Sequence, residues 1–286
     1  MKIFLAGASG AVGRPLIGML TANGHEVVGT TRDPDKAEML RGLGATPAIV
    51  NALDREALMD AVREARPYAV IHQLTDLARF DFAATNRLRI EGTRNLVEAA
   101  RAVGVRRMVA QSFGPAYAPG EGLATEETPL YLDAPQEWRE TIAALATLEA
   151  AVSGLPEGVI LRYGLFYGPG TSLAADGFHA DLVRQGQFPA NENVSSFVHI
   201  EDAARAAMLA LEWPSGIYNI VDDDPAPVRG WLPQYVAEVG GPPPPRVDGK
   251  DPIMSRGISN AKARWTVGWA PRHPSWRAGF LEAVRA

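Results

Sequence analysis

Ile3-Phe4-Leu5-Ala6-Gly7-Ala8-Ser9-Gly10-Ala11-Val12-Gly13, near the head of a 286-residue chain, is the stretch that decides the fold. Four apolar residues in a row suit a strand buried on both faces. Val12, Leu16, Ile17 and Leu20 then recur at helical spacing, and Gly24 supplies a stop. Between them stand Gly7, Gly10 and Gly13. Strand, glycine turn and helix follow one another without a gap.

The same alternation continues outward. Short apolar runs fall at 26–30, 48–50, 69–73, 108–111 and 159–163. Helical patterns separate them: Asp33-Pro34 opens one, Asp54 caps 55–65, and 88–103 ends at Gly104. Alternating strand and helix predicts an α/β fold, a Rossmann-type doubly wound parallel sheet. Beyond about residue 165 the pattern changes. Helices are expected over 172–185, 202–212, 228–239 and 275–284, with strands at 196–199 and 217–221. Pro242 to Pro245 form a stiff extended connector.

The three glycines sit where a dinucleotide site needs them. One allows the tight turn, one lets backbone approach a pyrophosphate, and one lets helix pack on strand. The backbone of Ser9, Ala11 and Val12 then faces the phosphates at a helix N-terminus. The second strand ends in Thr31 followed by Arg32, where an NAD site usually carries an acid. A guanidinium suits a 2′-phosphate, so NADP(H) is expected over NAD(H), with Arg32 on the phosphate and Thr31 beside it. Asp33 is the opposing residue: it either reaches the ribose or caps the next helix.

Composition narrows the rest. The chain is 47% hydrophobic and 21% charged, with a formal net charge of -5. An acidic balance argues against nucleic acid. The absence of cysteine excludes disulfides, thiolate metal sites and a cysteine nucleophile. No membrane span or secretory leader is visible, so a cytoplasmic protein, monomeric or homodimeric, is expected. The five histidines show no ligand spacing and no metal is expected. Asp222-Asp223-Asp224 suggests a solvated turn, and Trp265, Trp269 and Trp276 suggest packing of the smaller domain.

Together these segments resemble an extended short-chain dehydrogenase/reductase of the NAD-dependent epimerase/dehydratase group. The resemblance is carried by the glycine turn, by Asn51-Ala52-Leu53-Asp54, by Val70-Ile71-His72-Gln73-Leu74, by Glu91-Gly92-Thr93-Arg94-Asn95-Leu96 and by Val109-Ala110-Gln111-Ser112. It continues through Arg162 to Gly170 and Phe197 to Ala204. It implies that Asn51, Ala52 and Leu53 flank the adenine and that Gln73 and Leu74 line the cofactor. It also implies that Tyr163 and Leu165 offer backbone to the cofactor and that Ser112 is the active-site serine. The implied topology is a dinucleotide-binding domain over 1–166, rejoined by 196–221, and a smaller C-terminal substrate-binding subdomain over 167–286.

The family's usual proton machinery is Tyr-x-x-x-Lys. The chain has four lysines, and none has a tyrosine four residues before it. Aligning Glu149 with the family's downstream glutamate puts Thr141 at the tyrosine position and Leu145 at the lysine position. Three readings stay open. Another acid takes over beside Ser112, with Tyr117, Tyr163 and His199 near the pocket by family position and Thr141, a poor proton donor, as a partner; or hydride moves with little acid help, onto an activated double bond or imine; or the domain is a non-catalytic NADP(H) sensor. A cofactor-retaining epimerase or isomerase is the further enzymatic alternative. The expectation is an oxidoreductase acting on a small-molecule substrate, with Ser112 polarising the substrate oxygen.

Overall fold

The structure, a computed structural model, describes residues 1–77 and 81–285, with side chains through residue 280. The first strands are β1 (Lys2–Ala6), β2 (Glu26–Thr31), β3 (Thr46–Ile49), β4 (Ala69–His72) and β5 (Arg107–Phe113). With β6 (Glu157–Tyr163) and β10 (Gly216–Ile220) they form one seven-stranded sheet, ordered β10-β6-β5-β4-β1-β2-β3. The pairings from β3 through β5 are parallel. The order reverses between β1 and β4. That reversal is the switch point at which open α/β sheets bind ligands, beyond the carboxyl ends of the strands.

The helices follow local chemistry. α1 (Gly13–Ala22) buries Leu16, Ile17 and Leu20, and α2 (Ala37–Gly42) buries Ala37 and Leu40. α3 (Arg55–Ala65) starts where Asp54 accepts the Ala57 N–H at 3.1 Å. α4 (Phe82–Arg87) runs through a π-helical turn, Leu88–Gly92, into α5 (Thr93–Ala102). The single helix expected over 88–103 is therefore interrupted at its start, because apolar periodicity does not distinguish a wider turn. α6 (Gln136–Ser153) comes between β5 and β6. Leu58, Leu96 and Leu148, from α3, α5 and α6, share one core with Phe4, Val70 and Met108 of the sheet.

The remaining elements are β7 (Leu165–Tyr167), α7 (Phe178–Arg184), β8 (Val194–Ser195), β9 (Phe197–His199), α8 (Ile200–Leu209), β11 (Ala226–Pro227), α9 (Val228–Val239), α10 (Ala261–Val267) and α11 (Trp276–Arg285). Two compact units emerge: one of residues 1–112, 143–161 and 204–217, the other of 113–142, 162–203 and 218 onward. The second unit has its own aromatic core, in which Phe197 meets Trp231 and Phe280 edge-on at 5.3 and 5.4 Å.

Two expectations about this unit need correction. Trp265 is 88% exposed and packs nothing, whereas Trp269 and Trp276 are buried. Asp222 is no solvated turn residue. It is 2% exposed and accepts the N–H groups of Asp224 and Trp276 at 3.2 and 3.0 Å. It secures the start of α11, a contact 54 residues away that sequence spacing cannot reveal.

Candidate active site

The glycine turn is built as its chemistry requires. Gly7 has φ +87°, a left-handed conformation that glycine adopts without strain. A methyl group there would stand 2.6 Å from the Gln73 carbonyl oxygen, and one on Gly13 would stand 2.5 Å from that of Ala8. Backbone therefore packs on backbone across the mouth of β1 and β4. Val12, ahead of α1, provides no side-chain cap; the Arg14 N–H donates to the Gly10 carbonyl at 3.1 Å and Pro15 has no N–H, so a ligand at this helix N-terminus would meet the backbone N–H groups before Arg14. Thr30 was not singled out from sequence, yet its Oγ1 accepts the Gly7 N–H at 3.0 Å and pins the turn. Only the pairing of β1 with β2 brings it there.

The flanking residues behave as local chemistry suggests. Thr31 is buried and its Oγ1 donates to the Asp33 carbonyl at 3.2 Å. Asp33 accepts the Asp35 N–H at 3.0 Å, which is the capping role. Arg32 reaches out, 60% exposed, and pairs with Asp76 at 2.9 Å. Asp76 follows β4 and carried no sequence signal. Asn51 Oδ1 accepts the Leu53 N–H, and Asn95 donates to the Ala52 carbonyl at 3.0 Å, so that loop is held from α5.

At the end of β4, His72 is fully buried between two bonds. Its Nδ1 accepts the Leu74 N–H at 3.2 Å, which leaves Nε2 to donate to Thr93 Oγ1 at 2.8 Å. Burial, helped by the nearby Arg89 charge, lowers its pKa to about 4. A neutral ring is thus locked at neutral pH, with no proton to offer. Gln73, beside it, is 5% exposed, and both polar atoms of its carboxamide lack a partner among the described residues. An orphaned buried amide beside a cradle too tight for a methyl group fits a nicotinamide dinucleotide at this edge.

The serine at the end of β5 has a partner that sequence spacing did not suggest. Ser112 Oγ donates to Glu149 Oε1 at 2.6 Å, and both residues are buried. A hydroxyl has one proton. Here it goes to a carboxylate, so toward a ligand Ser112 presents lone pairs.

The other predicted residues belong to the second unit. Tyr117 is buried and its hydroxyl donates to Asn219 Oδ1 at 2.6 Å, with the Arg162 guanidinium 4.9 Å from its ring centre. Burial pushes its pKa up, which makes it a poorer acid. Tyr163 donates to the Ala203 carbonyl at 3.3 Å, and the Leu165 N–H donates to that of Ser196 at 2.8 Å. Thr141 is buried on α6, eight residues before Glu149. This unit also gathers His199, Glu201 and His273, whose ligand atoms lie within 4.8 Å of one another. Their separation along the chain is why spacing did not suggest a cluster.

Comparison with known proteins agrees with this geometry. Residues 3–221 match the model of the NAD dependent epimerase/dehydratase family. The chain is 45% identical to a Streptomyces protein described as 3-diazoavenalumate denitrifying reductase, across 98% of this chain and 99% of the relative. It is 30% identical to the 2-alkyl-3-oxoalkanoate reductase of Stenotrophomonas maltophilia, across 87% of this chain and 78% of that one. The UDP-glucose 4-epimerase of Thermus thermophilus, solved with NAD, superposes with a TM-score of 0.82 at 26% identity, covering 100% of this chain and 98% of that one. A reductase of a small organic substrate fits these likenesses. Among the described residues, no helix is long and apolar enough to cross a membrane. The chain belongs to the NAD-dependent epimerase/dehydratase family, within the extended short-chain dehydrogenases/reductases.

Proposed function

We propose that this protein is an NADP(H)-dependent reductase that adds hydride to an electron-poor small organic acceptor without a side-chain acid. The acceptor class is the diazo group named for its 45%-identical relative. The observation that carries this reading is the buried Ser112–Glu149 pair in a chain that lacks Tyr-x-x-x-Lys. A ketone needs a proton on its oxygen as hydride arrives, and a positioned acid supplies it. A diazonium ion does not. It takes one hydride, loses its C–N bond, gains a C–H bond and leaves as N2, with no proton consumed. Bound NADPH supplies that hydride.

The chain's own groups provide the setting. Gly7, Ser9, Gly10, Ala11, Val12 and Gly13 seat the pyrophosphate at α1. Asn51, Ala52 and Leu53 flank the adenine, while Gln73 and Leu74 satisfy the far half of the cofactor. Tyr163 and Leu165 add backbone contacts. Ser112, tied to Glu149, offers lone pairs that suit a cationic acceptor better than a carbonyl oxygen. Thr141 and Tyr117 stand as substrate-facing groups. Arg32 takes the 2′-phosphate, because the competing Asp33 carboxylate is spent on its cap. The cofactor domain is the sheet with its flanking helices, and the later segments hold the substrate.

The test is to follow NADPH absorbance and N2 release with an aryl diazonium salt, against a protein-free control and a panel of ketones, enones and imines. Cofactor loss matched by N2 is expected with the diazonium salt. Reduction of ketones alone would overturn the reading. Tight NADPH binding with no turnover would favour a sensor, and turnover without cofactor loss an epimerase.

A further inference from the structure

Arg89 lies in the π-helical turn Leu88–Gly92 and is 6% exposed. Turns of this kind concentrate at functional positions. The next residue, Thr93, bonds His72 at the end of β4. His72 pairs in register with Ala6 and Ala110, so Arg89 stands at the carboxyl end of β1, β4 and β5. Gly7, Gln73 and Ser112 lie at that same end.

Among the described residues the guanidinium has no counter-charge. It donates to Asn86 Oδ1 at 3.2 Å and forms no ion pair among the described residues. Of the positions whose side chains lie outside them, Ala78, Arg79 and Phe80 carry no carboxylate and Glu282 does. His72 is no substitute, since it is neutral with its ring nitrogens engaged. Burial lowers the Arg89 pKa to about 10, so the group is still charged at neutral pH. A buried cation without an anion is costly, and native proteins pair such groups.

The cofactor's anions belong elsewhere. On the reading proposed above, the pyrophosphate would face α1, and the 2′-phosphate would face Arg32 after β2, on the other side of the switch point. What remains is the substrate. A planar guanidinium fork matches a carboxylate in two parallel bonds. We propose that Arg89 is a specificity-determining residue, and that the substrate is a small organic carboxylate whose anion supplies the charge this guanidinium lacks. The proposal rests on the reading of this edge as the reductase site.

The experiment uses cinnamate, an aryl carboxylate with no reducible diazo group, and its methyl ester. Each is titrated calorimetrically into the whole protein saturated with NADPH. Cinnamate should bind at least about tenfold tighter than the ester in the native protein. R89Q should abolish that preference, and R89K should keep part of it, while NADPH affinity changes by less than about threefold. Equal binding of cinnamate and ester, binding of neither, an R89Q variant that keeps the preference, or one that loses NADPH instead, would each overturn the proposal. The acid–ester comparison in the native protein decides the matter even if R89Q does not fold. Benzenediazonium, which has no carboxylate, separates this proposal from the reductase reading. If it is reduced by native protein and R89Q alike while no carboxylate preference exists, the reductase stands and the role of Arg89 falls. If carboxylate preference is present and no diazonium is reduced, the reverse holds.

Discussion

Replacing Ser112 by alanine separates a structural hydroxyl from a catalytic one. The residue is 7% exposed and donates at 2.6 Å to Glu149, itself 6% exposed. A buried hydrogen bond to a charged group contributes about 1.5–3 kcal/mol, and S112A also leaves a carboxylate short of a donor. The expected cost is therefore roughly 2 kcal/mol, which at ~2–4 °C per kcal/mol lowers Tm by about 4–8 °C. E149Q keeps a carbonyl acceptor for the hydroxyl and should cost roughly 1 kcal/mol. The double variant should fall short of the sum by up to about 1 kcal/mol, because S112A removes the bond that E149Q only weakens. Catalysis should respond differently. If hydride transfer needs no side-chain proton, kcat/KM of S112A for an aryl diazonium salt stays within about threefold of native. A residue that donated a proton or polarised an oxygen would cost about 10²–10⁴ on removal. Thermal unfolding followed by circular dichroism and stopped-flow NADPH oxidation on the same preparations give both numbers. A hundredfold kinetic loss with unchanged Tm would refute the reasoning.

Other outcomes follow from single contacts. G13A should abolish NADPH binding measured by fluorescence, since its methyl group would press on the carbonyls of Gly7 and Ala8; binding within tenfold of native would show that the cradle can open. R32A should weaken NADPH by about 1–3 kcal/mol and leave NADH nearly untouched, whereas D76N should tighten NADPH by removing the carboxylate now 2.9 Å from Arg32; equal losses for both cofactors would refute the phosphate assignment. Burial raises the Asp222 pKa to about 7, above its unfolded value of 3.8, so the native state holds a proton that the unfolded chain has lost. Stability should then fall as pH rises from about 4 to about 7, by up to ~1.4 kcal/mol per pH unit, and level off above. D222N should remove that slope in urea titrations at several pH values, and an unchanged slope would place the titration elsewhere.

Most of the sheet is legible in the chain because its signals are local. Runs such as Ala69-Val70-Ile71 are short and wholly apolar, as burial on both faces demands. Asp54 announces α3 because a cap acts within three residues. What escaped is what depends on distance. Trp265 has the same composition cue as Trp269 and Trp276, but helix rotation points it outward. Asp222 looks like a polar turn until α11 arrives to use it.

The sequence by itself determined the glycine turn and the absence of Tyr-x-x-x-Lys. Glycine spacing acts on the nearest backbone, and an absent Tyr-x-x-x-Lys needs no coordinates to be absent. Only the tertiary structure decided how the site is wired: Thr30 onto Gly7, Asp76 onto Arg32, Ser112 onto Glu149, and Arg89 buried without an anion among the described residues. Each of those depends on residues from separate strands or helices, or on burial that many segments create together. A one-dimensional pattern records which groups exist. Desolvation and hydrogen-bond partners, which set what those groups can do, arise only when the sheet is assembled.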